Sequence, residues 1–306
     1  MPTFWTCSGI TESQVCDFNL GRAPYHNRRG VLVELDKAAA RTFSSDSLQF
    51  LLSRRSGIMT DLHVKILGEG PTVVLVHGSG GSSILSWTFQ HPLAARYRLL
   101  MPDRRGYGRS PAASKIDYEE NAKDIAELLG DEAHLVGASY GGVVSLFAAA
   151  LRPDAILSLS VLEPPILGLA RGNSKADAIM ERLSNVYETM QNAAPEEFDA
   201  AFDAALGFPH EPTPLDPEPR RALESMMKER LPFDAQVPFN RLATARFPKL
   251  VISGGWSEVF DVVCDEIAER IGGERMVVQG AGHEISRTGK LLNDRLEALW
   301  KRGHSG

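Results

Sequence analysis

From residue 59 onward the chain alternates two hydrophobic patterns. The short continuous runs TVVLVH (72–77), YRLLMP (97–102), HLVGA (134–138), ILSLSVLE (156–163), KLVISG (249–254) and ERMVVQG (274–280) are apolar on both faces. That pattern predicts parallel strands buried on both sides. Between them, apolar residues recur at helical spacing over 117–130, 140–151, 259–271 and 287–301, and the third of these helices is expected to stop at Gly272-Gly273. Strands alternating with helices imply a doubly wound, mostly parallel α/β sheet. HVKILGEGPTVVLVH (63–77) reads as a hairpin entering that sheet, with Gly68-Glu69-Gly70-Pro71 as its turn.

The alternation breaks once, between about 166 and 246. That stretch holds amphipathic helices at roughly 174–193, 195–206 and 217–230 and the proline-rich connection GFPHEPTPLDPEPR, with no buried strand run. Inserted between two strands, it is expected to be a helical cap over one end of the sheet. The core is then 59–165 with 247–306, and the cap is 166–246. Residues 1–58 carry Cys7, Cys16 and scattered arginines without sustained period, and are expected to be a poorly ordered extension without a catalytic role. They lack the apolar core of a secretory signal, and their acidic residues argue against an organelle-targeting leader.

Composition narrows the possible partners. Across 306 residues the formal charge is −6, which argues against nucleic acid or an anionic membrane as the main partner. Cys7, Cys16 and Cys264 are too few and too scattered for a disulfide framework, and no Cys/His cluster suggests a metal. No apolar run reaches the roughly 18–20 residues that span a bilayer. A reducing, cytoplasmic setting is expected, with no cofactor.

Three short motifs carry candidate chemistry. Gly137-Ala138-Ser139-Tyr140-Gly141 fits G-x-S-x-G between a strand and a helix, where a sharp bend lifts one hydroxyl above the sheet edge. Small residues at 137 and 141 suit so tight a turn. His77-Gly78-Ser79-Gly80-Gly81 follows a strand directly and can present a backbone N–H, that of Ser79, to a developing oxyanion; the N–H of Tyr140 would be the second donor. The loop lacks the third glycine of a dinucleotide fingerprint and any Gly-Lys-Ser/Thr, so a phosphate cradle fits poorly. His77 itself reads as a structural residue of the loop. His283, in QGAGHEIS after the last strand, stands where open α/β sheets place ligand-facing groups. Of the remaining histidines, only His210 in the cap could touch a substrate.

Together VVLVHGSGGS, MPDRRGYGRS, LVGASYGG and GAGHE resemble the α/β-hydrolase family, in family order and over about residues 60–302. The resemblance makes Asp103 a structural residue of the turn after its strand. It implies Ser139 as nucleophile and His283 as base, and leaves the acid to be chosen. Where the family most often has an Asp after the penultimate strand, LVISGGWSEVFD places Ser257, with Glu258 and Asp261 just beyond. A second location known in the family, the end of the strand after the nucleophile's helix, reads VLEPP, where two prolines would hold the Glu163 carboxylate rigidly. Glu163 is the first choice, Glu258 the alternative and Asp261 the last; some lactone-hydrolysing members are similar in this respect.

The expected activity is hydrolysis of a small, apolar carboxylic ester or lactone through a Ser139-His283-Glu163 triad and an acyl-enzyme. The same groups would serve carbon–carbon bond hydrolysis or cofactor-free perhydrolysis. A non-enzymatic receptor binding a small ligand under the cap is the rival of another class. Phe202, Phe208, Phe233, Met226 and Met227 suggest an apolar ceiling.

Overall fold

The computed structural model describes residues 60–303; the expected extension at 1–58 lies outside the described residues. Seven strands form one sheet: β1 (Val64–Leu67), β2 (Thr72–Val76), β3 (Arg98–Pro102), β4 (Ala133–Ala138), β5 (Ile156–Leu162), β6 (Lys249–Ser253) and β7 (Glu274–Val277). Their order is β1-β3-β2-β4-β5-β6-β7, and every neighbouring pair is parallel except β1 with β3. The all-apolar runs are the inner strands: Val73, Val74, Leu75, Leu135, Val136, Leu250 and Val251 have no exposed surface. Each such side chain removed from water contributes about 1.5–3 kcal/mol. β7 departs from the expected two-sided burial, because as an edge strand it keeps all four residues partly exposed.

The expected hairpin does not form. β1 and β2 run antiparallel in sequence, yet β3 lies between them, and Val64 to Leu67 pair with Pro102 to Leu99. The Gly68–Pro71 turn therefore has to pass over the segment that leads into β3. A side chain on Gly68 (φ 74°) would sit 2.2 Å from the Ala94 carbonyl oxygen, so the crossing admits only glycine. Hairpin chemistry reports a chain reversal, and it cannot tell whether another strand is inserted.

Helices cover both sheet faces. In chain order they are α1 (Ser83–Ser86), α2 (Tyr118–Leu128), α3 (Tyr140–Leu151), α4 (Ser174–Thr189), α5 (Pro195–Leu206), α6 (Pro217–Met226), α7 (Phe239–Thr244), α8 (Glu258–Ile271) and α9 (Lys290–Gly303). α3 is buried along almost its whole length, as its uninterrupted small and apolar residues require. α2 starts where Asp117 accepts the Glu119 N–H, and α8 ends at Gly272 in the left-handed conformation. On one side of the sheet, Trp87, Leu296, Leu299 and Trp300 form a core with Leu99 and Met101. Within it Tyr97 meets Trp300 edge-on and His134 stacks on the same indole at 5.2 Å.

Between β5 and β6 the described chain is helical: a 3₁₀ turn at Leu167–Ala170, then α4, α5, α6 and α7. No strand interrupts the insertion; its one bridge pairs Glu229 with Ile116 of the core. α4 and α6 end at 189 and 226, short of the expected 193 and 230. Among the described residues no helix is long and apolar enough to cross a membrane.

Candidate active site

Ser139, Glu163 and His283 each follow the carboxyl end of a strand, β4, β5 and β7 in turn. Ser139 follows β4 with φ 52° and ψ −125°, and α3 begins at the next residue. A non-glycine residue in this region is strained, and the fold holds it from both sides. Its N–H donates to the Leu162 carbonyl at 2.7 Å, while its carbonyl accepts the N–H of Gly142 at 2.8 Å. The flanking glycines are required by contact. A Cβ on Gly141 would lie 2.4 Å from the carbonyl oxygens of Val76 and His77, and one on Gly137 would lie 2.3 Å from the Gly141 carbonyl oxygen.

Glu163 follows β5 and is the other described non-glycine residue with positive φ, at 44°. The bend comes directly before Pro164-Pro165 and turns the carboxylate along the sheet edge toward β6 and β7. Its side chain is buried, and three N–H groups converge on it. The Gly254 N–H donates to Oε1 at 2.6 Å. The Trp256 indole N–H and His283 Nδ1 both bond Oε2, at 2.9 and 2.6 Å. Burial works against protonation of His283, but the hydrogen bond and charge of Glu163 outweigh it, and the imidazole pKa lies above the ordinary histidine value.

The loop carrying His283 is seated on the loop after β6. A Cβ on Gly254 would come within 1.8 Å of the Gly282 carbonyl oxygen, so the two backbones touch there. Gly254 thus serves Glu163 through its N–H and His283 through its missing side chain. Trp256 faces the His283 ring edge-on at 6.2 Å and packs on Phe260, which lies 5.2 Å from the same imidazole. Of the expected apolar ceiling, Phe208 reaches Trp256 at 5.9 Å. Phe202 packs instead with Phe198 and Tyr187 inside the insertion, and Met226 and Phe233 are buried.

The alternative acids stand elsewhere. Glu258 opens α8 with a side chain 62% exposed and pairs with Lys175 at 2.5 Å, so its charge serves the helix start and a surface ion pair. Asp261 bonds Ser253 and Arg275. His210 lies against Asp203 and Asp199, at 3.3 and 3.9 Å. Burial beside Asp199 pushes the Asp203 pKa up to about 6.

The glycine-rich loop after β2 runs alongside the Ser139 bend. A Cβ on Gly78 would approach the Ser139 Cβ to 3.0 Å and its Oγ to 3.6 Å. His77 Nε2 accepts the Arg104 N–H at 3.0 Å, which leaves the ring proton on Nδ1, facing the Gly78 carbonyl at 2.8 Å. Burial, with the Arg104 charge beside it, pushes the His77 pKa down to about 3, so the ring stays neutral. Asp103 collects the N–H groups of Ser83 and Arg109 and the His63 ring. Burial opposes its charge, but these bonds outweigh it and hold the carboxyl well below the usual range.

Four residues of this site were not singled out in the sequence: Gly254, Trp256, Arg104 and Glu229. Gly-Gly-Trp directly after a strand was a faint signal for the first two. Arg104 is buried without exposure, and Glu229 comes from the insertion; no local pattern connects them with a loop at 77–81. Among the described residues no group of three or more His, Cys, Asp or Glu side chains is placed to hold a metal ion.

The mostly parallel sheet, the strained serine at a strand-to-helix bend and a histidine after the last strand define the class. A family model described as the alpha/beta hydrolase family matches residues 73–294, and the chain belongs to that family. Among relatives, a dihydrolipoyllysine-residue acetyltransferase component of the acetoin cleaving system of Pseudomonas putida is 43% identical over 34% of this chain and 30% of its own. A pimeloyl-[acyl-carrier protein] methyl ester esterase of Aeromonas hydrophila is 36% identical over 31% of this chain and 39% of its own. Lipase LipV of Mycobacterium tuberculosis is 33% identical over 40% of this chain and 49% of its own. The chain thus spans less than half the length of each of these relatives. Among solved structures, one described as an N-acyl homoserine lactone degrading enzyme superposes with a TM-score of 0.56 at 22% identity, over 78% of this chain and 96% of the other. A thermophilic esterase from Thermogutta terrifontis gives 0.54 at 20% identity, over 79% and 94%. At these identities the likeness is one of fold.

Proposed function

We propose that the chain is a serine hydrolase of carboxylic esters or lactones, working through Ser139, His283 and Glu163. The observation that carries this reading is the 2.6 Å bond between His283 Nδ1 and a buried carboxylate. With Nδ1–H engaged by Glu163, the neutral imidazole keeps Nε2 as its basic nitrogen. In the acylation step Nε2 takes the Ser139 hydroxyl proton as Oγ attacks the carbonyl carbon, and the electron pair of the C=O bond moves to oxygen. The imidazolium so formed sits against Glu163, whose charge favours it. Collapse of the tetrahedral adduct expels the alkoxide, which leaves with the proton from Nε2. Water, deprotonated by the same nitrogen, then cleaves the acyl-enzyme and returns the Ser139 hydroxyl.

The oxyanion is assigned to the N–H groups of Ser79 and Tyr140. Tyr140 opens α3, where N–H groups have no partner within the helix and the dipole favours negative charge. Ser79 follows Gly78, whose backbone lies beside Ser139. Loss of one such donor typically costs about 10²–10³ in rate. The esterase and lipase names of the relatives support ester cleavage as the reaction class.

Incubation with a fluorophosphonate probe tests the proposal. One equivalent should attach to Ser139, identified by peptide mass, and Ser139→Ala should take none. A protein that stays unlabelled, or that labels equally in the alanine variant, is not a serine hydrolase.

A further inference from the structure

The insertion sends one side chain into the loop that presents the Ser79 N–H. Glu229 lies just past α6, and its backbone is locked to the core. The Ile116 N–H donates to the Lys228 carbonyl at 2.9 Å, and the Arg230 N–H donates to the Ile116 carbonyl at 2.8 Å. From there its carboxylate enters a buried polar cluster. The Ser79 hydroxyl donates to Oε2 at 2.5 Å, while Arg104 Nη2 and the Tyr107 hydroxyl donate to Oε1, both at 2.7 Å. The side chains of Arg104 and Glu229 are 0% and 1% exposed.

The other contacts of Arg104 show what the cluster orients. Its Nε donates to the His77 carbonyl at 2.9 Å and its Nη2 to the Gly78 carbonyl at 3.0 Å. His77 Nδ1–H reaches the same Gly78 carbonyl. In a trans peptide the C=O of one residue and the N–H of the next point in opposite directions. Holding the Gly78 carbonyl toward Arg104 therefore turns the Ser79 N–H away from the guanidinium. That fixes one end of the 78–79 segment; the Ser79 hydroxyl, bound to Glu229, fixes the other. Glu229 is the group common to both, since Oε1 bonds Arg104 and Oε2 bonds Ser79.

We propose that Glu229 is a positioning residue for the oxyanion loop, through which the helical insertion sets the direction of the Ser79 N–H by gripping the Ser79 hydroxyl and Arg104 together. This rests on the serine-hydrolase reading above. It also assigns a purpose to the Ser79 side chain: the N–H would bind the oxyanion, and the hydroxyl anchors that N–H. The insertion then supplies part of the scaffold of the oxyanion hole.

Phosphonylation of Ser139 provides the test, since it builds negative charge on a phosphoryl oxygen without needing the natural substrate. Saturation kinetics with a fluorophosphonate separate the maximal rate from the binding constant. Ser79→Ala keeps the N–H and the Arg104–Glu229 pair but deletes the anchor; it should lower the maximal rate about tenfold, with the binding constant within about twofold. Glu229→Gln should give a similar loss, and the double variant should be no slower than the slower single one, because both act through one contact. Wild-type protein that fails to label at Ser139 defeats the hydrolase reading. Normal wild-type labelling, with Ser79→Ala at the wild-type maximal rate or with losses that multiply in the double variant, overturns the role of Glu229. Should Glu229→Gln fold poorly because Arg104 loses its partner, the Ser79→Ala rate decides alone.

Discussion

Replacing Glu163 by glutamine leaves shape almost unchanged and removes one charge and one acceptor. Three N–H groups converge on the carboxylate, two of them on Oε2. A glutamine amide has one acceptor atom, so its NH₂ must face at least one of these donors. If the NH₂ takes the Oε2 position, it opposes the Trp256 indole N–H and drives the His283 proton from Nδ1 to Nε2. The nitrogen proposed as base is then blocked. If it takes the Oε1 position, it opposes the Gly254 N–H and pushes the loop after β6 away from His283. Either way the charge that favours the imidazolium is gone. At a separation of about 4 Å between charge centres and an effective dielectric of about 20, that attraction is about 4 kcal/mol, or on the order of 10³ in rate.

The assay is steady-state hydrolysis of a p-nitrophenyl ester at pH 8, with thermal melts to verify folding. Glu163→Gln is expected to lower kcat by about 10³ and to change KM little. Glu258→Gln is the matched comparison, because its side chain is 62% exposed and paired only with Lys175; activity should stay within about twofold. A folded Glu163→Gln protein retaining more than about a tenth of wild-type kcat, or a larger loss in Glu258→Gln, would refute the reasoning.

Other perturbations follow from the same geometry. Because the proposed mechanism needs a neutral His283 to accept a proton and Glu163 raises its pKa, kcat/KM should climb with pH through an inflection above the ordinary histidine value of about 6.5; in Glu163→Gln that inflection should move to lower pH, and an unmoved one would show that Glu163 is not the cause. Gly254→Ala would place a Cβ 1.8 Å from the Gly282 carbonyl oxygen, so the His283 loop must shift, with a loss of about 10² in kcat/KM; wild-type kinetics would mean that the two loops are not in contact. The Asp203 side chain is buried, and its Oδ1 has no hydrogen-bond partner. Its folded pKa of about 6 lies above the unfolded value, so ionisation costs stability fully above that pH and not at all below about 4. Asp203→Asn should therefore raise the melting temperature at pH 8, with the gain fading as the pH is lowered from about 6 to 4; a gain independent of pH would assign it to packing instead.

Much of the architecture was legible because it is written locally. Continuous apolar runs such as TVVLV and KLVIS can be buried on both faces only inside a parallel sheet, and β2 to β6 fall within a residue or two of the expected bounds. The strand-to-helix bend at Ser139 was equally legible, because the contact that demands Gly137 comes from the Gly141 carbonyl within the motif itself, although the one that demands Gly141 comes from Val76 and His77 on a distant stretch of chain. The end of α8 at Gly272 follows from the same kind of local chemistry.

The rest depended on which distant segments share a surface. Residues 63–77 carry hairpin chemistry, but only the pairing of β1 with β3 shows that a third strand separates the two arms. VLEPP and GGWSE each offered a carboxylate at a strand end. Only the fold shows that Glu163 is the one that meets His283, a contact across 120 residues of sequence. The Ser79–Glu229 bond spans 150 residues and joins the glycine-rich loop after β2 to the insertion. Periodicity and turn residues determine the conformation of a stretch of chain, because those forces act between near neighbours. Strand order, the partner of a histidine and the anchor of a loop are decided by the three-dimensional packing that buries them together, and nothing in local sequence encodes that proximity.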